Sequence, residues 1–422
     1  MSILQIIQLI SHRNLIIMLF VSFSRVFAVF TLLVCIGCSQ ASKQPTPVLL
    51  ISIDGLRPDY LSRTDTPVLD QLIANGTLAE HLIPIFPTKT FPNHYSTVTG
   101  LYAEHTGIVS NNMMDAELGR FSLGNRQAVS DARWWGGEPI WVTAEKQGVR
   151  AGTLFWPGSE APVGGLYATH WLEYDDDLPH DARVDTLISW FQATSDRSLQ
   201  FATFYLSQVD SYGHWYGPDS DSVAVALKEV DRTLGYLISE LERIGVWPHV
   251  NVIITSDHGM TEVSNDRVIL IDEIISLDDV IVHDWSPVAM IQPNSGKTQH
   301  VYASLKAAED NYRVYLKDEL PDRYRLKNHS RVPEIVVVAD IGYTITTRDR
   351  FEARGVSGGA HGYDPMEPDM NAFFMASGPA FKSGNVIEAF ESVHIYELMC
   401  ALLGLDPAPN DGDLSILAPI LK

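Results

Sequence analysis

The run Val48-Leu49-Leu50-Ile51-Ser52-Ile53 is apolar but for one serine and stops at Asp54-Gly55. A strand without polar alternation has both faces covered, the condition of strands in parallel sheets. Comparable runs follow at residues 151–155, 201–206, 250–255 and 372–376. Helical patterns separate them, at residues 66–74, 139–146, 182–193, 222–244 and 393–403. Strand alternating with helix predicts an α/β fold, a doubly wound, mostly parallel central sheet with helices on both faces. Two stretches break the alternation. Residues 111–137 carry several Asn, Gly and Trp and read as a long loop rimming a pocket. Residues 269–338 mix short strand-like pieces with a charged helix near 316–322 and read as an inserted smaller subdomain.

The first 37 residues stand apart from this pattern. They contain Arg13 and Arg25 and no acid, and residues 26–37 form a run of signal-peptide length. The ending Cys35-Ile36-Gly37-Cys38-Ser39 resembles a bacterial lipoprotein box, with Cys38 as a candidate lipid anchor. Ser39-Gln40-Ala41 offers a rival cleavage site, and an uncleaved membrane anchor is a third reading. All three put the fold outside the cytosol, in the periplasm or secreted. Residues 38–47 then serve as a tether, and residues 48–422 form a single domain. With only Cys35, Cys38 and Cys400, a disulfide framework is excluded. A net charge of −22 argues against a nucleic-acid polymer as partner, because polyanions require a basic stripe.

Chemistry concentrates where apolar runs give way to turns. Asp54 ends the first run, at the strand end where open α/β sheets bind ligands; alone, it could equally be a turn or capping aspartate. Asp210 and His214 are spaced for one helical turn and one shared metal ion. Asp257-His258 closes the run at 250–255, and Gly259 is expected to supply the backbone freedom that lets both face one ion. His361 lies between glycines, as a ligand on a tight loop does. Thr90 stands at the start of a short helix over residues 93–99, where backbone N–H groups favour a phosphoryl group. Two Asp/His sets and one hydroxyl would make a two-metal phosphoryl-transfer site.

The segments TKTFPNHYSTVTGLYAEHTGIVSNNM, FWPGSE, DSYGH, TSDHGM and GAHGYDP occur in this order from residue 88 onward. In these motifs the chain resembles a bacterial member of the nucleotide pyrophosphatase/phosphodiesterase family, of the alkaline phosphatase superfamily. The resemblance implies an alkaline-phosphatase-like fold and two Zn2+ ions. One would be held by Asp210, His214 and His361, the other by Asp54, Asp257, His258 and the Thr90 oxygen. It further implies Thr90 as nucleophile and Asn111, with the Phe91 N–H, as the holder of a phosphoryl oxygen. Phe91 and Tyr174 would stack a nucleobase, with Leu123 and Tyr205 as pocket walls. The expected substrates are nucleoside triphosphates and nucleotide diesters, cut at the α-phosphate to release a nucleoside 5′-monophosphate.

Competing readings are a phosphomonoesterase, a phosphonate hydrolase or a phospholipid-headgroup phosphodiesterase on the same scaffold. Phe91 rather than Arg follows Thr90, which favours a substrate with an organic second substituent, unless Lys89 points inward. A zinc-binding module without catalysis would not need the threonine.

Overall fold

Side chains along Val48–Ile53 (β1) alternate between two cores. The computed structural model describes residues 46–193 and 198–422, so the expected export signal 1–37 and Cys38 lie outside the described residues. Val48 and Leu50 join one apolar cluster, whereas Leu49, Ile51 and Ile53 join another. Successive strand side chains point to opposite faces, so a strand buried throughout requires cover on both sides. Each such Leu or Ile contributes roughly 1.5–3 kcal/mol by leaving water.

The other strands of the central sheet are β2 (Gly76–Ala79), β3 (Ala151–Leu154), β4 (His170–Trp171), β5 (Phe201–Leu206), β6 (Asn251–Thr255), β7 (Phe374–Ser377) and β8 (Asn385–Ile387). Their spatial order is β8-β2-β7-β6-β1-β5-β3-β4. All pairings are parallel except those of β7, which runs antiparallel to both β6 and β2. The expected run at 372–376 is therefore in the sheet, but reversed.

The main helices are α1 (Pro67–Ala74), α2 (Thr90–Thr99), α3 (Ile140–Lys146), α4 (His180–Phe191), α5 (Gln208–Tyr216), α6 (Asp221–Arg243) and α7 (His394–Leu403). Leu69 of α1, Leu187 of α4 and Leu234 of α6 pack with Leu49 and Ile51. Val98 of α2, Trp141 of α3 and Leu398 of α7 pack on the other side with Val48 and Leu50. The doubly wound α/β fold is thus present, with a mixed rather than wholly parallel sheet. Among the described residues, no helix is long and apolar enough to cross a membrane.

A second sheet of four antiparallel strands is built from Val280–Asp284, Val288–Pro293, Ile335–Ala339 and Tyr312–Leu316, in that spatial order. One face carries Ala289, Ile291, Ile335 and Val337 in a core of its own, while Val288, Met290, Val336 and Val338 join a main core. On either side of this sheet in sequence, Val268–Leu270 and Thr344–Thr346 pair in parallel. No α-helix lies near 316–322. Tyr312–Leu316 is a strand, followed by 3-10 turns at Lys317–Glu319 and Asp322–Tyr324. Pro321 lacks the N–H that a helix there would need. The helix of this region is Thr298–Ala307 instead.

Residues 111–137 are also more ordered than expected. Asn112–Asp115 and Gly119–Ser122 form a hairpin, and Arg126–Val129 a helical turn. Trp134 and Trp135 are buried in the core, and the Trp135 indole N–H donates to the Val129 carbonyl at 2.9 Å. Those tryptophans signal packing, which composition alone cannot distinguish from pocket lining.

Candidate active site

Register brings three chain segments to one level. Ser52 lies opposite both Tyr205 of β5 and Thr255 of β6. The chain therefore leaves β1, β5 and β6 side by side, carrying Asp54, Asp210 and the Asp257-His258 pair. The Asp54 N–H donates to the Leu206 carbonyl at 2.9 Å, and the Gly55 N–H to Asp257 Oδ1 at 3.2 Å. Asp210 lies in the first turn of α5 and His214 one turn later, with His214 Nε2 3.4 Å from Asp210 Oδ1.

His361 arrives from far along the chain. Gly359–Ala360 pairs with Thr261–Glu262, just beyond His258. His361 Nε2 then lies 3.8 Å from Asp210 Oδ1, and its ring stacks on that of His258 at a centroid separation of 3.5 Å. Gly358 has φ +84°, and a Cβ there would collide with the His214 carbonyl. Gly259 has no left-handed φ; it is needed for space, because a Cβ would strike the Asp369 carbonyl. The expectation of backbone freedom at Gly259 is corrected accordingly.

Thr90 is the first residue of α2, with Lys89 in extended conformation before it. Its Oγ1 lies 3.4 Å from His258 Nε2. Three candidate ligand groups result: Asp210 with His214 and His361, Asp54 with Asp210 and His258, and Asp54 with His94 and Asp257. All six expected Asp and His side chains therefore fall in these overlapping groups, and His258 links them to the Thr90 oxygen.

A cavity of about 250 Å³ opens from this cluster. Asp54, Thr90 and Asp210 line it together with Phe91, Leu123, Tyr174 and Tyr205. Phe91 rests edge-on against Phe121 at 5.8 Å, and Tyr174 is held by its hydroxyl on Asp176 at 2.7 Å. Leu123 is 39% exposed at the mouth. Tyr205 is more than a wall, since its hydroxyl donates to Asp54 Oδ2 at 2.6 Å. Asn111 Oδ1 accepts the Phe91 N–H at 2.9 Å. That N–H is thus taken up by Asn111 rather than free, which leaves the Asn111 amide NH2 as the donor of the pair.

Residues that sequence reasoning missed also lie here. His94 is buried beside Asp257, with Nδ1 3.3 Å from Asp257 Oδ2 and 2.9 Å from the Thr90 carbonyl. Its position four residues after Thr90 on a helix was the available signal. Arg126 and Glu160 form an ion pair lining the cavity.

Comparison with known proteins gives the same answer from a different direction. The model of the family described as type I phosphodiesterase / nucleotide pyrophosphatase matches residues 48–364. The chain belongs to this family. It is 39% identical over 398 residues to the bis(5′-adenosyl)-triphosphatase enpp4 of Xenopus laevis, covering 93% of this chain and 86% of that protein. The solved structure of murine ectonucleotide pyrophosphatase/phosphodiesterase 5 superposes with a TM-score of 0.85 at 38% identity, over 89% of this chain and all of that one. An inactive variant of the same murine protein, solved in complex with AMP, covers 90% of this chain and 100% of its own, again with a TM-score of 0.85 at 38% identity. This chain is therefore a nucleotide pyrophosphatase/phosphodiesterase, a hydrolase of phosphodiester and phosphoanhydride bonds.

Members of this family depend on metal ions, and the donor set here fits them. The Nδ1–H groups of His214, His258 and His361 donate to the carbonyls of Gly359, Gly259 and Thr88, at 2.8, 2.9 and 2.9 Å. A carbonyl can only accept, so in the neutral ring each Nε2 is the nitrogen with the lone pair, and it faces the cluster. Asp54 Oδ1 and Asp210 Oδ1 are buried without hydrogen-bond partners. His258 Nε2 stands 2.9 Å from Asp257 Oδ2, a distance that requires a proton or a cation between two lone pairs. Burial, with Asp257 and Asp210 nearby, pushes the Asp54 carboxyl well above the usual carboxylate range. Asp257 moves the other way: burial opposes it, but His258 and His94 hold it well below that range. Burial, then His258 and His214, keep His361 neutral, the form that ligates. Carboxylates crowded out of water with unused oxygens are stable when cations join them.

Proposed function

We propose that this protein cuts nucleoside triphosphates and nucleotide diesters at the α-phosphate through a nucleotidyl-threonine intermediate. The observation that carries this reading is the position of Thr90 Oγ1, 3.4 Å from His258 Nε2, at the first residue of a helix and in the lining of the cavity. Asp210, His214 and His361 would hold one Zn2+, and Asp54, Asp257, His258 and Thr90 the other. When bound, such ions supply positive charge to the phosphoryl oxygens and favour the alkoxide over the hydroxyl.

The protein's own groups do the rest. Thr90 Oγ forms a bond to the α-phosphorus while the bond to the leaving pyrophosphate or alcohol oxygen breaks. Water then cleaves the threonine ester and releases the nucleoside 5′-monophosphate. The Asn111 amide and the α2 N-terminus stabilise charge on the non-bridging oxygens. Phe91 and Tyr174 would take the base between them. A relative named as a bis(5′-adenosyl)-triphosphatase and another solved with AMP both support an adenine nucleotide as substrate.

Diester rather than monoester preference is supported by Lys89. Its ammonium is 2.6 Å from Asp284 and buried with it, so its charge is already matched. Product analysis of ATP turnover tests the proposal. AMP and pyrophosphate are expected; ADP and phosphate would refute it.

The proposal extends to location. The lipoprotein-like ending at Cys38 supports a bacterial source and a periplasmic, lipid-anchored enzyme. Palmitate labelling that persists in Cys38→Ser would exclude that anchor.

A further inference from the structure

One buried carboxylate from the inserted sheet reaches the neighbours of both catalytic residues. Asp284 Oδ2 accepts from Lys89 Nζ at 2.6 Å and from the Ser110 hydroxyl, while Oδ1 accepts from Asn112 Nδ2 at 3.2 Å and from the Trp285 N–H at 2.9 Å. Lys89 immediately precedes Thr90, and Ser110 and Asn112 flank Asn111. Asp284 is only 6% exposed and Lys89 5%, so water does not compete for these bonds. The pairing register of its strand shifts between Val282 and Asp284, the kind of irregularity that re-aims a side chain.

We propose that Asp284 is a positioning residue that sets Asn111 against Thr90. It ties the segment carrying the oxyanion donor to the residue before the nucleophile. The proposal rests on the catalytic roles given above to Thr90 and Asn111. A buried Lys–Asp pair that only stabilised the fold would need neither Ser110 nor Asn112. Here the same two oxygens serve all three side chains, on two segments. The inserted sheet therefore takes part in catalysis without contributing a group that touches substrate.

A double-mutant cycle on the full chain tests this, with the nitrophenyl ester of a nucleotide as substrate and thermal unfolding as a check on folding. Asp284→Asn should lower kcat about 10- to 100-fold with KM changed less than about 3-fold, as small misplacements do. In an Asn111→Ala background the same change should cost less than about 3-fold, because no donor remains to be placed. Should Asp284→Asn not fold, Ser110→Ala takes its place in the cycle, with an expected loss of about 3- to 10-fold in kcat. Equal losses in both backgrounds, or an unchanged kcat, would overturn the positioning role alone. An Asn111→Ala enzyme as active as the parent would instead remove the reading beneath it, and this proposal with it.

Discussion

The Tyr205 hydroxyl donates to Asp54 Oδ2 at 2.6 Å, so one residue both lines the cavity and orients a candidate metal ligand. Burial, and then Asp54 beside it, push the phenol well above its ordinary range, so it remains a donor at any working pH. Tyr205→Phe keeps the ring and removes the bond. Such outer partners are typically worth 10- to 100-fold in metal affinity or activity. We expect zinc affinity, measured by chelator competition, to fall by at least about 10-fold. An unchanged affinity would mean that Asp54 is held by other contacts.

Thr90→Ala should abolish turnover while the zinc content of the purified protein stays close to two ions per chain. Metal analysis by mass spectrometry, run beside the nitrophenyl-ester assay, checks both halves. Activity within 10-fold of the parent would exclude a threonine ester on the pathway.

Chelation should do more than stop turnover. With the cations gone, Asp54 and Asp210 retain buried oxygens without hydrogen-bond partners. Ions that bind only the folded state at 100 times their dissociation constant add about 2.7 kcal/mol to stability. Calorimetry should therefore show a lower Tm in chelator, restored by added zinc. A Tm indifferent to chelation would count against the two-ion site.

Acid sensitivity should trace in part to Asp115. Burial would raise this carboxyl, but the Arg331 guanidinium and the N–H groups of Glu117 and Leu118 hold it down at about 2. An unfolded aspartate titrates near about 3.9. The pair's contribution is therefore complete above that value and is lost as pH falls toward 2. Asp115→Asn should lower stability at neutral pH and flatten the acid limb of the unfolding curve between about pH 4 and 2. Parallel acid limbs in urea titrations of the two proteins would sink this assignment.

Much of the fold was legible because its signal is local. An apolar run ending in Asp-Gly marks a buried strand and its exit, and Asp54 and Asp257-His258 were both found that way. Asp210 and His214 were readable as a helical turn. His94 was not singled out, because a spacing of four from Thr90 on a helix marks an ordinary packed residue as readily as one at a site. Trp134 and Trp135 were misjudged for a related reason. Whether an aromatic faces a cavity or a core depends on what lies above it, here Phe91 and Phe121 against Trp135. The helix expected near 316–322 is a different case, because Pro321 interrupts the charged stretch and 3-10 turns form on either side of it.

By itself, the sequence determined which residues end the strands, which motifs they sit in and hence the family and its chemistry. Only the tertiary structure decided that the ligands meet. Parallel pairing of β5 and β6 with β1 puts Asp54, Asp210 and Asp257 at one level, and the Gly359–Ala360 pairing brings His361 to them. It alone revealed that Lys89 is matched by Asp284, a partner 195 positions away. Chain neighbours constrain one another through backbone geometry, which sequence patterns record. Distant partners are chosen by packing and by the cost of leaving buried charge unpaired, and no local pattern carries that information.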